Sequence, residues 1–145
     1  MAFVYLRTVF FRDTDAAGVV YFTNVLSMCH EAYEASLAAA GVDLKQFFGK
    51  AKTAFPIAHA SVDFFRPMFC GDRLAIQMQP KQTKPDEFEI TYHLFAAKAN
   101  SSPDLSVPSA SLSRALSRHV CIDSASRTRS PLSAEIIHWL DQWSE

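Results

Sequence analysis

The spacing of apolar positions changes along the chain, and the changes mark out its elements. Phe3 to Phe11 is a β-branched and aromatic run, the composition of a strand buried on at least one face. From about Thr23, apolar residues recur three and four positions apart, at Leu26, Cys29, Tyr33, Leu37 and Ala40. That spacing predicts a long helix with one apolar face, and Gly41 stands where its C-terminal cap would be. Val42–Lys52 has room for one more helical turn before Gly49.

Strand-like runs follow at Phe55–Phe65, Arg73–Gln82 and Glu87–Ala97. Pro67 and Gly71-Asp72 supply the first turn between them, and Lys84-Pro85-Asp86 gives a hairpin signal at the second. Asn100–Pro108 is polar and proline-bearing, and is expected to be a mobile loop. Ser109–Asp123 reads as a last strand whose middle alternates through Leu112, Arg114, Leu116, Arg118 and Val120. Pro131 then opens a short amphipathic helix through Trp143, at a first-turn position that suits proline.

One strand, one long helix, four strands and a closing helix predict an α+β layer fold with an antiparallel sheet, not alternating β-α units. A helix as apolar as residues 22–40 needs covering on most sides, which a curved sheet wrapped round it would provide. There is no internal repeat, and 145 residues suit a single domain, 1–145, with a core that needs no disulfide or structural metal.

Composition adds one anomaly and several exclusions. Twelve phenylalanines in so small a chain suggest a wide aromatic core or pocket, and most of them are expected simply to pack. A net charge of −1 gives no general field for polyanions, so nucleic acid is not an expected partner. Cys29, Cys70 and Cys121 are odd in number and scattered among apolar residues, as expected of reduced, buried thiols in a cytoplasmic protein. Arg7, Arg12 and Asp13 interrupt the apolar N-terminus, and no run approaches the roughly 20 residues of a membrane span. A soluble, cytoplasmic chain is expected.

Most chemical templates are absent. There is no G-x-G-x-x-G, phosphate loop, C-x-x-C or G-x-S-x-G, and the five histidines lack metal-ligand spacing. Neither a cofactor nor a metal is therefore expected. His59 alone stands out slightly, within the apolar run PIAHASVDFF.

What remains is Asp13-Thr14-Asp15-Ala16-Ala17-Gly18. Both acids could simply be turn formers that accept backbone N–H bonds ahead of the helix. The flanks argue for more, because Phe10, Phe11, Val19, Val20, Tyr21 and Phe22 are apolar where a solvated turn is usually polar. A carboxylate held there would be partly desolvated and its reactivity tunable. The entering helix offers unpaired N–H groups to a developing oxyanion. Acid plus donors is an acyl-transfer arrangement.

The pattern Asp13-x-Asp15-x-x-Gly18-x-Val20-Tyr21-Phe22-x-Asn24 resembles the signature of the hotdog-fold 4-hydroxybenzoyl-CoA thioesterase family. The later run Val62-Asp63-Phe64-Phe65-Arg66-Pro67-Met68-Phe69-Cys70-Gly71-Asp72-Arg73-Leu74 resembles that family's second signature. The resemblance implies a hotdog fold and an acyl-CoA substrate, with Asp15 as catalytic residue, acting as nucleophile or as base for a water. It implies backbone N–H groups of Tyr21 and Phe22 as the oxyanion donors, Asp13 as the holder of the turn, and a dimer or tetramer with sites at subunit interfaces. Ala16 stands where benzoyl-type members have proline, and Thr23-Asn24-Val25 lacks the tyrosine common after the asparagine. These departures point to the family's 1,4-dihydroxy-2-naphthoyl-CoA branch, which serves phylloquinone and menaquinone biosynthesis, with a general acyl-CoA thioesterase as the alternative.

For the CoA phosphates, Lys81, Lys84, Arg114, Arg118, Arg127 and Arg129 are candidates. Glu31 and Glu34 are read as surface or hydrogen-bonding residues of the helix. Two rivals remain open: a magnesium-dependent phosphatase, whose nucleophile motif is also D-x-D, and an acyl-binding module without turnover. The hairpin-rich second half argues against the parallel sheet that such phosphatases need.

Overall fold

The computed structural model describes residues 2–97 and 111–144. Strand β1 (Phe3–Thr8) stops at Thr8 and not at Phe11, because Phe11–Asp13 wind into a single 3-10 turn. Helix α1 (Phe22–Ala39) contains neither glycine nor proline. It ends in a Schellman arrangement: Val42 N–H bonds Leu37 O and Gly41 N–H bonds Ala38 O, both at 3.0 Å, with Gly41 at φ 86°. The short helix α2 (Leu44–Gly49) is capped by the Asp43 carboxylate, which accepts from Lys45 and Gln46.

The strand expected over Phe55–Phe65 is β3 (Ile57–Phe64), and a short strand not expected from the sequence, β2 (Thr53–Ala54), precedes it. β4 (Arg73–Lys84) and β5 (Glu87–Ala96) form the expected hairpin, with Lys84 paired to Glu87 across Pro85-Asp86. The last expected strand also divides, into β6 (Ser113–Val120) and β7 (Ile122–Asp123), because β7 leaves the sheet to pair with β2. Helix α3 (Ala134–Trp143) begins at Ser133, whose hydroxyl accepts from Ile136 N–H, and not at Pro131. The loop expected at Asn100–Pro108 lies outside the described residues.

The main sheet is antiparallel with order β1-β4-β5-β6-β3, and α1 lies against one face of it. This is the hotdog arrangement. Val25, Met28, Cys29, Ala32 and Leu37 of α1 share the core with Leu74, Ile76, Met78, Ile90 and Leu94 of the two central strands. Tyr33 packs against His119 and Trp139, with ring centroids 5.0 and 5.5 Å away, and α3 is pinned to α1 by Trp139 Nε1–H to Ser36 Oγ at 2.9 Å.

The core face of β6 is small and polar. Ser113, Ala115, Ser117 and His119 are buried, while Arg114, Leu116 and Arg118 point away from the core. At the end of the sheet, β3 is exposed along almost its whole length. An apolar edge strand left bare in this way is a surface shaped for covering.

Candidate active site

Asp13 fixes the junction between β1 and α1. Arg7 reaches it from β1 with both guanidinium branches, Nη1 to Oδ2 at 2.7 Å and Nη2 to Oδ1 at 3.2 Å. The N–H of Phe10 also donates to Asp13 Oδ2, at 2.8 Å. The carbonyl of Asp13 accepts from Tyr21 N–H and from Asn24 Nδ2, each at 2.9 Å. Asp13 thus holds both the turn and the entrance of the helix, which explains the need for an asparagine at position 24. Burial pushes the Asp13 carboxyl upward, but the hydrogen bonds from Arg7 and Phe10 outweigh it and leave the pKa below the usual carboxylate value.

Asp15 sits on the tip of the turn that Asp13 anchors. Gly18 N–H closes the turn onto Asp15 O at 2.9 Å, Gly18 itself has φ 83°, and Thr14 pairs with Val20 across the base. Asp15 Oδ1 accepts Ala17 N–H at 2.8 Å, and Oδ2 has no partner among the described residues. The carboxylate therefore has one oxygen fixed by the backbone and one available.

The expected desolvation of Asp15 is not present in the single chain, where Asp15 is exposed. The reason is that the apolar flanks do not fold inward: Phe11 is 82% exposed and Phe22 58%. The phenylalanines as a group behave the same way, against the expectation that most simply pack. Only Phe47, Phe88 and Phe95 are buried, while Phe10, Phe11, Phe22, Phe48, Phe64, Phe65 and Phe69 are exposed. The aromatic surplus lies largely around Asp15.

Two sequence motifs separated by some forty residues meet here. Val20 N–H bonds Met68 O at 2.8 Å, Val19 bridges Phe69, and Val9 exchanges hydrogen bonds with the Gly71-Asp72 turn. The Asp72 carboxylate in turn accepts Phe69 N–H at 2.8 Å. A cleft of about 430 Å³ results, with Asp15, Tyr21, Phe22, Phe64, Phe65 and Arg66 among its walls. Sequence reasoning did not single out Phe64, Phe65 or Arg66 individually. The only signal for them was their place within the second motif.

The two expected oxyanion donors part company. The N–H of Tyr21 is already committed to Asp13 O, so it is not free to polarise a carbonyl. Tyr21 occupies the N-cap position of α1 without any side-chain cap, which leaves the N–H groups of Phe22 and Thr23 without an acceptor among the described residues. Phe22 also lines the Asp15 cleft.

Other sequence candidates fall elsewhere. Glu31 accepts from Arg7 Nε at 2.8 Å and from Tyr5 OH at 3.1 Å, so it is a hydrogen-bonding residue of the helix, and Glu34 is a half-exposed surface residue 3.5 Å from His30. His59 is exposed on β3, and the buried histidine is His119. Cys29 and Cys121 are buried, but Cys70 is exposed and lines a neighbouring cleft with Asp15. Arg118 and Arg129 are paired with Glu89 and Asp86, at 3.0 and 3.4 Å. Lys84 and Arg129 gather near the Pro85 turn, at the far end of β4 from Asp15.

A carboxylate with a free oxygen, an uncapped helix N-terminus and an aromatic cleft are the parts of an acyl-transfer site, carried here on a hotdog frame. A sequence profile of the Thioesterase-like superfamily matches residues 9–140, and the chain belongs to that superfamily. Its relatives include the 1,4-dihydroxy-2-naphthoyl-CoA hydrolases of Trichodesmium erythraeum, 54% identical over 97% of this chain and 96% of the relative, and of Nostoc punctiforme, 51% identical over 97% and 88%. Among solved structures, a 1,4-dihydroxy-2-naphthoyl-CoA thioesterase from Synechocystis superposes with a TM-score of 0.85 at 36% identity, covering 97% of this chain and 96% of that one. No helix among the described residues is long and apolar enough to cross a membrane.

Proposed function

We propose that this chain hydrolyses an aromatic acyl-CoA thioester, 1,4-dihydroxy-2-naphthoyl-CoA, to the free acid and CoA in the cytoplasm, with Asp15 as the catalytic carboxylate. The observation that carries the reading is the meeting of the unpartnered Asp15 Oδ2 with the aromatic walls of Phe22, Phe64 and Phe65 in one cleft. A flat fused-ring acyl group suits such walls, and the relatives at about half identity act on the naphthoyl thioester by name.

In this reading the thioester carbonyl lies between Asp15 and the start of α1. The developing oxyanion accepts from the Phe22 N–H, with Thr23 N–H as the second donor in place of Tyr21. Asp15 either attacks the carbonyl carbon, expelling the CoA thiolate and leaving a mixed anhydride for water to open, or takes a proton from a water that attacks directly. Both routes end in carboxylic acid and thiol.

The working form is proposed to be a homo-oligomer, dimer or tetramer, whose partner covers the aromatic collar and the bare β3 edge. The test of the whole reading is a panel of aryl- and alkyl-CoA thioesters scored by kcat/KM. The fused aromatic acyl group should lead. A preference for short alkyl chains would remove the naphthoyl assignment and keep the class, and no cleavage of any thioester would favour an acyl-binding module.

A further inference from the structure

A further cleft, of about 510 Å³, adjoins the cleft that Asp15 lines with Cys70 and is walled by Tyr5, Arg7, Thr8, Phe10, Arg12 and Arg73, with Glu31 also on its rim. We propose that it binds the phosphate groups at the nucleotide end of the CoA thioester, through Arg12 and Arg73. The proposal rests on the thioesterase reading for its ligand and deepens it.

Three guanidiniums meet here, and they are not equivalent. Arg7 is occupied, since Asp13 and Glu31 both hold it at 2.7 and 2.8 Å. It also engages the Glu31 carboxylate that would otherwise repel an anion. Arg12 and Arg73 are exposed, and neither forms an ion pair among the described residues. Each is nonetheless held in place. The Arg12 guanidinium lies over the Phe10 ring, 5.3 Å from its centroid, and Arg73 Nη1 donates to Thr8 Oγ1 at 3.3 Å. A guanidinium that is positioned but has no carboxylate partner is suited to forked hydrogen bonding with phosphate oxygens.

The path between the two clefts fits the ligand. Arg12 also borders the cleft that contains Asp15, Gly18 and Cys70, so the two spaces share a wall. Arg12 stands three residues before Asp15, no more than about 10 Å of extended chain, and Thr8 seven residues before it, no more than about 25 Å. CoA has the same layout: a reactive thioester at one end, a long neutral arm, then a pyrophosphate and a ribose phosphate. Of the cations expected from sequence, Arg118 and Arg129 are paired, and Lys84 ends β4 eleven residues from Arg73, about 36 Å along the strand.

The test uses Arg12→Gln, Arg73→Gln and the double variant of the full chain, with circular dichroism to verify folding. Binding of adenosine 3′,5′-bisphosphate is measured by calorimetry against inorganic phosphate, and kcat/KM is measured for a CoA thioester and the pantetheine thioester of the same acyl group. The wild type should bind the bisphosphate more tightly than phosphate, and the double variant should lose at least tenfold of that affinity. The preference for the CoA over the pantetheine thioester should fall about tenfold for each guanidinium removed. Equal binding of phosphate and bisphosphate, unchanged binding in the double variant, or equal losses on both thioesters would overturn the proposal. Arginine-dependent bisphosphate binding in a wild type that cleaves neither thioester would uphold the cleft and reject the thioesterase reading.

Discussion

Arg7 and Asp13 form a bidentate ion pair that is more than nine-tenths hidden on both sides, and through it β1 dictates where α1 begins. Removing one member of such a pair leaves the other as a buried charge, which costs about 3–5 kcal/mol. For Asp13→Ala the loss should sit at the lower end, because Arg7 keeps Glu31. The two hydrogen bonds that Asp13 O accepts come from its backbone and are retained. Urea unfolding should report about 3 kcal/mol. The pair also titrates in a known direction. The folded pKa of Asp13 is below its unfolded value near 3.8, so its contribution is complete above that value and is lost as pH falls through the lowered one. The urea midpoint of the wild type should therefore decline below about pH 4, and that of Asp13→Asn should start lower and decline less over the same window.

Asp15 is predicted to behave in the opposite way, critical for turnover and neutral for stability. It is exposed, and an asparagine can still accept the Ala17 N–H through its carbonyl oxygen. Asp15→Asn should leave the melting temperature within about 1 °C, since the lost interactions are worth only tenths of a kcal/mol. It should lower kcat by about 10²–10⁴, the range of a positioned acid–base group, or by more if Asp15 is the nucleophile. Undiminished cleavage by the variant would exclude Asp15 from the chemistry. Single turnover in labelled water tests the anhydride route: label retained in Asp15 marks that path, whereas label only in the product acid places the attack of water on the acyl carbon, which both routes allow.

Much of this site was legible in the sequence because its parts are local. Gly41 ends α1, Lys84-Pro85-Asp86 turns β4 into β5, and the Asp13–Asn24 motif names its own anchor. What local pattern could not show was the destination of side chains and N–H groups. Twelve phenylalanines predict burial by hydrophobicity alone, yet seven stay exposed in the single chain, because hydrophobicity does not say which side chains face the core. Tyr21 and Phe22 are adjacent and look equivalent as donors, but Asp13 O takes one of them. Arg12 and Arg73 are far apart in sequence and share a cleft only because Thr8 pairs with Arg73 across β1 and β4. Strand registry is long-range information, and composition does not contain it.

The exposed collar makes the oligomer a prediction about activity as well as mass. Phe11, Phe22, Phe64, Phe65 and Phe69 together with the β3 edge form an apolar surface that a monomeric protein rarely keeps open. Sedimentation velocity should give a multiple of the 16.2 kDa chain at micromolar concentration. On dilution, specific activity should fall in step with the loss of that species if, as proposed, a partner covers the Asp15 cleft. A monomer that retains full specific activity at every dilution would contradict this.

His119 gives the fold a second acid sensitivity, separate from Asp13 and at higher pH. Its ring is fully buried, stacks on Phe88 at 4.8 Å, and places Nε2 2.8 Å from Ser117 Oγ, which also meets Tyr92 OH at 3.2 Å. Burial pushes its pKa down from 6.5 to about 4, against a smaller upward pull from the Phe55 backbone and with a further downward push from His30. Between those two values the unfolded chain binds a proton that the folded chain refuses, so stability rises with pH across the window and is complete above about 6.5. At 1.36 kcal/mol per pKa unit, the loss between pH 7 and pH 4 is on the order of 3 kcal/mol. Replacement by glutamine keeps a hydrogen-bonding side chain for Ser117 but removes the titration. Chemical unfolding from pH 4.5 to 7 should therefore show a slope for the wild type that His119→Gln flattens, whatever the variant's absolute stability. A slope that persists in the variant would assign the sensitivity to another group.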